Sequence, residues 1–453
     1  MRFFRSCFCP PSASSLKDAG VPPHAQHADQ VDASPAAATQ ERAAEEIGCI
    51  LQELVGSDFF SAESLWALAR THEQHGLPPI KFLRGSWLEE RAAQMRSAST
   101  PEARQRLALP RRQDLTETNP AAFLTEQELI ALPHREWEGK IHQLRLVIVS
   151  YCWHGEKHPD PDGEQLQRFV EVIARERSTE NMSAQTPFPS GEYAVFVDWC
   201  SLTQKDASGH RSEAERAVFS YALERMQLLY AHALTTVAIL CGLPLGWTRP
   251  SYEISGWPSF EFAVASLLKE KTAYSWAPVV FAEGAQLAYM PPLPPDAFTA
   301  LLEQRHFTSG SDAAVVAQLY ASTMNDALAA AGRIFFTDYG WSAAHVEALC
   351  EVLYLAEKVT YLSLRGNPCG SGGASALARA LGRGCCPQLQ TLVLQDTDLD
   401  DEGVRALAGV IERGSLASLK ELLLAYNEGV SRAAWQALEG VCNARGIGVA
   451  GDF

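Results

Sequence analysis

The stretch Val359-Thr-Tyr-Leu-Ser-Leu-Arg-Gly-Asn367 recurs as Leu389-Gln-Thr-Leu-Val-Leu-Gln-Asp-Thr397 and again as Leu419-Lys-Glu-Leu-Leu-Leu-Ala-Tyr-Asn427, thirty residues apart each time. The leucine pairs 362/364, 392/394 and 422/424 stand two residues apart, so on a strand both members face the same side. Further columns keep the offset: Leu377, Leu407 and Ala437, then Leu381, Ile411 and Val441, with Gly373 and Gly403 facing Ala433. Their spacing of three and four is helical. Each unit therefore reads as a strand, a turn at the Asn or Thr position, and a helix. An amide at such a turn can satisfy loop backbone groups. A single unit cannot bury its apolar face, and stacking gives a continuous core. Ile334-x-Phe336 lies twenty-eight residues before Leu362-x-Leu364, and Leu349 and Leu353 keep that offset before Leu377 and Leu381. A degenerate leading unit and chance spacing in a helical connector both remain open.

Over about residues 350–448 the chain resembles the leucine-rich-repeat family, in particular its ribonuclease-inhibitor-like subclass with helical outer faces. The resemblance implies a protein partner held on the concave strand face. Ser363, Val393 and Leu423, which lie between or beside the inward leucines, are the candidate protein-binding residues.

Upstream, the pattern changes. Leu144-Arg-Leu-Val-Ile-Val-Ser150, Tyr193-Ala-Val-Phe-Val-Asp198 and Thr235-Thr-Val-Ala-Ile-Leu240 are short, β-branched apolar runs that read as buried strands, and Ala277–Ala282 as a fourth. Helical patterns separate them at Gly163–Arg177, Ser212–His232 and Pro258–Glu270. Alternation of this kind argues for a parallel sheet with helical crossovers. Still earlier, Glu45–Arg70, 80–98 and 101–108 look helical, and Thr125 with Glu128 has capping-box spacing. Pro110 to Asn119 reads as a linker. The expected fold class is thus α/β: a parallel, doubly wound sheet domain, then a short β-α repeat solenoid, preceded by a helical region. The expected divisions are a disordered tail at 1–43, a helical region at 44–132, the α/β domain at 140–285, a helical connector at 286–330 and the repeat domain at 331–453, with clear repeats from about 359.

The net charge of −16 argues against a general nucleic-acid surface. Eleven cysteines without CxxC or zinc spacing suit free thiols in a reducing compartment, hence a cytoplasmic protein. The start, Met1 to Ser15, lacks a secretory pattern and reads as a disordered tail; lipidation at Cys7 and Cys9 and organellar targeting are the alternatives. No apolar run reaches about 18 residues, so no transmembrane segment is expected. There is no glycine-rich phosphate cradle, which disfavours kinase, GTPase and classical dehydrogenase readings.

The loops after the strands converge at one sheet edge, where ligands normally sit. Ser150-Tyr-Cys-Trp-His154 and Asp198-Trp-Cys-Ser-Leu-Thr-Gln204, with Met226, Tyr230 and Ala233, resemble the fungal heterokaryon-incompatibility domain. Ile148-Val-Ser-Tyr151 and Trp257-x-x-x-Glu261 are similar to the related Toll/interleukin-1-receptor (TIR) domain, with Pro258 in place of its cysteine. In enzymatic TIR domains the corresponding glutamate cleaves the nicotinamide–ribose bond of NAD. The resemblance implies Glu261 as the catalytic candidate, with Ser150, Trp153, His154, Asp198 and Trp257 lining a substrate pocket. Structural roles compete at each position. A carboxylate suits the first turns of a helix, an Asp at a strand end suits a turn, and Cys200 suits a core. His158-Pro-Asp-Pro-Asp-Gly163 has too few oxygen ligands at calcium spacing, and no metal is expected. Two functions follow, beside a purely structural reading in which both domains are remnants packed together for stability. One is a non-catalytic interaction protein without a cofactor, which binds a protein through its repeats and scaffolds or self-associates through the middle domain. The other is an NAD-cleaving signalling enzyme that takes NAD as substrate.

Overall fold

The computed structural model describes residues 58–451 except 138–139, 156, 184–190, 270–276, 278, 283–286 and 308–311. The expected tail at 1–43, Cys7 and Cys9 lie outside the described residues. Two sheets dominate. The first is built on strand β4 (Leu146–Tyr151), every residue of which is buried. Its neighbours β5 (Ala194–Phe196), β6 (Thr236–Leu240) and β7 (Val279–Phe281) are parallel to it, in the order β5-β4-β6-β7. A two-residue edge, β1 (Leu83–Arg84), pairs antiparallel with β5.

Burial on both faces explains why these strands read as unbroken apolar runs rather than alternating ones. Leu146 and Ile148 point into one core with Phe196, Val237, Ile239 and Val279. Val147, Val149 and Tyr151 point into another with Val195, Ala238, Leu240 and Val280. Helix Glu164–Ser183 covers the second face through Leu166, Phe169, Val172 and Ile173. Helices Met226–Ala231 and Gly256–Ala265 cover the first.

The segment before the sheet is part of this body. Helix Gly85–Ser97 packs on Glu164–Ser183, and Gln167 donates to the Ala92 carbonyl at 2.9 Å. The expected linker at 110–119 is instead the helix Arg112–Thr118. Its buried Arg112 guanidinium donates to the carbonyls of Pro78, Pro79 and Ser201, which ties two loops to the sheet edge. The capping box at Thr125 and Glu128 is formed. Residues 134–144 hold an unexpected hairpin, β2 (His134–Trp137) with β3 (Lys140–Leu144).

The second sheet consists of β8 (Arg333–Phe335), β9 (Tyr361–Ser363), β10 (Thr391–Val393), β11 (Glu421–Leu423) and β12 (Gly448–Ala450), all parallel. Ile334 pairs with Leu362, Leu362 with Leu392 and Leu392 with Leu422, so the strand before the clear repeats is a structural unit. Helices Ala343–Cys350, Gly370–Gly382, Asp401–Glu412 and Arg432–Ala444 form the outer layer. A Cβ on Gly373 would meet Cys369 Cβ at 2.7 Å, and one on Gly403 would meet Ser371 Oγ at 3.0 Å and Ala374 Cβ at 3.2 Å. Close contact therefore keeps these glycines, while the matching Ala433 is exposed.

One hydrophobic core runs through both sheets, joined by helix Asp312–Ala330, whose Val316, Leu319, Tyr320, Met324 and Leu328 are buried in it. Contacts place the described residues in one compact unit. No described helix is long and apolar enough to cross a membrane.

Candidate functional site

The carboxyl end of β4 gathers four polar side chains in an apolar setting. Ser150, buried, shares a 2.6 Å hydrogen bond with the Tyr252 hydroxyl and donates to the Glu261 carboxylate. Tyr230 also bonds Glu261 from helix Met226–Ala231. Glu261 sits in the second turn of helix Gly256–Ala265, which aims its carboxylate back at the strand end. Burial pushes the Glu261 carboxyl up to about 8. The hydrogen bonds from Ser150 and Tyr230 oppose that rise, and the nearby Asp198 carboxylate adds to it. Burial, and after it the neighbouring Glu261 carboxylate, push both tyrosines well above their ordinary range. At neutral pH Glu261 is largely protonated, and two hydroxyls, those of Ser150 and Tyr230, engage its oxygens, while Tyr252 holds Ser150.

Asp198 forms a second group next to the first. Its carboxylate accepts from the Tyr151 hydroxyl at 2.9 Å, Trp153 Nε1 at 2.8 Å and the Trp199 amide at 2.7 Å. Burial raises its pKa, against those three bonds. Trp153 lies edge-on to Trp199, with ring centroids 5.7 Å apart. Asp198 thus orients two rings from the first residue of the short helix Asp198–Ser201. Cys200 is fully buried, and burial pushes its thiol well up, which is the core role and not that of a nucleophile.

Two expected pocket residues stand elsewhere. Trp257 donates its indole N–H to Asp312 at 3.0 Å and packs on Phe260, so it pins the helix to Asp312–Ala330. His154 is exposed and meets Trp247 edge-on at 4.9 Å. That pair borders a hollow of about 460 Å³ at the ends of β4 and β6, which none of Ser150, Trp153, Asp198, Trp257 or Glu261 lines. The Asp160 run is explained locally. Asp160 accepts from the amides of Gln165 and Leu166, so it caps helix Glu164–Ser183. Among the described residues no group of three or more His, Cys, Asp or Glu side chains could hold a metal ion.

In the second sheet the turns are held by amides. Asn367 Oδ1 accepts from the amides of Tyr339 and Trp341 at 3.1 and 3.0 Å, and its Nδ2 donates to the Phe336 and Leu364 carbonyls. Asn427 repeats the arrangement on Thr397, Leu399, Leu394 and Leu424. Residues 385–408 match the leucine-rich repeat family. The end of this chain carries a leucine-rich-repeat region. No curated protein matches the chain. On the side of the leucine-rich-repeat sheet away from the leucines, Ser363 and Val393 are 3% and 2% exposed, while Leu423 is half-buried. Two of the three expected contact positions are therefore floor, and the accessible outward side chains are Arg333, Arg365 and Glu421 around them.

Proposed function

We propose that this protein is an interaction scaffold of the signalling kind, whose leucine-rich repeats take a protein partner on the concave face. The observation that carries the reading is one row of outward residues across the sheet, Phe335, Ser363, Val393, Leu423 and Ala450, in register on neighbouring strands. Its centre is apolar or small, and its rims carry exposed Arg333 and Glu421 on one side and Arg365 on the other. An apolar centre with a polar rim is the common anatomy of a protein interface. The middle domain scaffolds or self-associates in this reading. Its likeness to the TIR and heterokaryon-incompatibility group is supported by the order of its parallel strands, with the second strand along the chain placed before the first, third and fourth, and by helices on both faces. The test is affinity capture with rim variants. A partner held by the wild type should be lost with Arg365→Glu and Glu421→Lys but kept with Arg405→Glu on the outer helix; loss only with the outer-helix change would refute the concave face.

One observation favours a second reading, NAD cleavage. Glu261 and Asp198 converge at the strand edge with both carboxyls raised, and paired carboxyls with perturbed pKa values mark catalytic sites. Against it, Ser150 and Tyr230 occupy the Glu261 carboxyl, and Tyr252 holds Ser150 there. Hydrolysis of the glycosidic bond would place a water oxygen on the ribose carbon and release nicotinamide. Nicotinamide release by wild type and not by Glu261→Ala would establish this reading; no release from an oligomerised sample would remove it.

A further inference from the structure

The hollow between the ends of β4 and β6 has features that the interaction reading leaves unused. After β4 the chain runs to one side of the sheet, to β5, and after β6 to the other, to β7. Loops that leave in opposite directions open a crevice, and open α/β sheets bind ligands there. The volume of about 460 Å³ lies within the range of small-molecule sites. Three separate parts of the chain wall it. Arg104 comes from the helix Pro101–Arg106, His154, Asp162 and Glu164 from the β4 loop and the start of the next helix, and Trp247 from the β6 loop. The N-terminal helical segment thus completes a crevice that the sheet alone would leave open.

The polar groups around it are uncommitted. Among the described residues the side chains of Arg104, Asp162 and Glu164 make no ion pair within 4.0 Å and no hydrogen bond, and His154 meets only the Trp247 ring. The hollow therefore offers one fixed cation, two carboxylates and an indole face. An anion alone would meet Arg104 but face two negative charges. A cation alone would have the reverse difficulty. A ligand that carries both charges on one small frame, with an apolar group for the indole, satisfies every wall. We propose that this hollow binds a free amino acid with an aromatic or large apolar side chain. Its carboxylate pairs with the Arg104 guanidinium, whose fork matches carboxylate geometry, its ammonium lies between Asp162 and Glu164, and its side chain lies against Trp247. The proposal does not depend on the NAD reading or on a protein partner.

Three probes separate the charges: L-phenylalanine, its N-acetyl derivative, which lacks the cation, and its methyl ester, which lacks the anion. Titration calorimetry of the full chain should show saturable binding of phenylalanine, with each derivative weaker by about tenfold or more, the size of one lost charge-assisted hydrogen bond. Arg104→Ala should remove the preference for phenylalanine over the methyl ester. Asp162→Asn with Glu164→Gln should remove the preference over the N-acetyl form. All three positions are exposed, and an unchanged melting curve shows that the variants are folded. Equal binding of the three probes, no saturable binding of phenylalanine, or tighter binding of adenosine monophosphate than of any of them would overturn the proposal.

Discussion

Glu261 shows how one residue can be recognised and still be misjudged. Its place four residues after Trp257 is plain in the sequence, but its chemistry is set by Ser150, Tyr230 and Tyr252, which come from three other segments. The carboxyl is held at about 8 in the folded chain, against an ordinary 4.5. A pKa raised by folding stabilises fully below the unfolded value, and that contribution disappears as pH rises through the folded one. The stability of wild type relative to Glu261→Gln should therefore decline between about pH 4.5 and pH 8 and level off above, as read by melting temperatures at stepped pH. Taking the difference cancels the opposite slope from Lys269. Its side chain is buried and, among the described residues, bonds the Thr235 hydroxyl and the carbonyls of His232 and Thr235, and burial pushes its pKa far down. A flat difference across the range would mean that Glu261 is ionised and solvated. Lys269→Met leaves those acceptors without their donor and should cost about 2 kcal/mol in denaturant unfolding at pH 7.

At the scale of elements, the repeat turns depend on buried amides. Each of Asn367 and Asn427 serves two amides and two carbonyls across adjacent turns. Asn367→Ala or Asn427→Ala should cost about 3 kcal/mol, because buried donors and acceptors are left unmade. Thr397, whose hydroxyl donates to Leu394 at 2.7 Å and approaches Asn427, does less, and Thr397→Val should cost about 1 kcal/mol. Equal losses at the three positions would contradict this ranking. The same elements show what was legible. Leucines at a fixed offset disclosed β9, β10 and β11, and the twenty-eight-residue offset pointed to β8. The closing strand β12, Gly448–Ala450, has no leucine and was invisible, because an end strand needs an inward residue on one side only, here Val449 against Leu422. Residues 80–98 read as one helix, yet Leu83 and Arg84 add an edge to the first sheet, a pairing set by contact with Ala194 and Val195. The long helix expected at 212–232 is two, Glu213–Leu223 and Met226–Ala231. The hollow was illegible for a related reason: Arg104 and Trp247 lie 143 positions apart and meet only through the sheet.

The whole molecule couples its two sheets more tightly than a chain of separate domains would. Tyr289, in the segment after β7, stacks on Tyr339 with centroids 4.1 Å apart and planes 7° apart, and its carbonyl accepts from Trp341 Nε1 at 2.8 Å. Trp341 is itself buried against Phe336 and lies one position before the Ser342 cap of the first outer helix. The leading repeat is thus closed by the sheet domain rather than by a polar cap, and a stacked array with an unclosed end loses its terminal core. Such a shared core predicts one cooperative unfolding transition for both sheets. Trp341→Ala removes a large buried side chain and should cost about 4 kcal/mol. Because it sits at the junction, the loss should fall on the coupling, so calorimetry should show one transition in wild type and two in the variant. An equally large loss at a site deep in one sheet, such as Phe196→Ala, should lower the single transition without splitting it. Two transitions in the wild type would mean that the sheets fold independently, and a binding event on the repeats would then have no rigid path to the edge that holds Glu261.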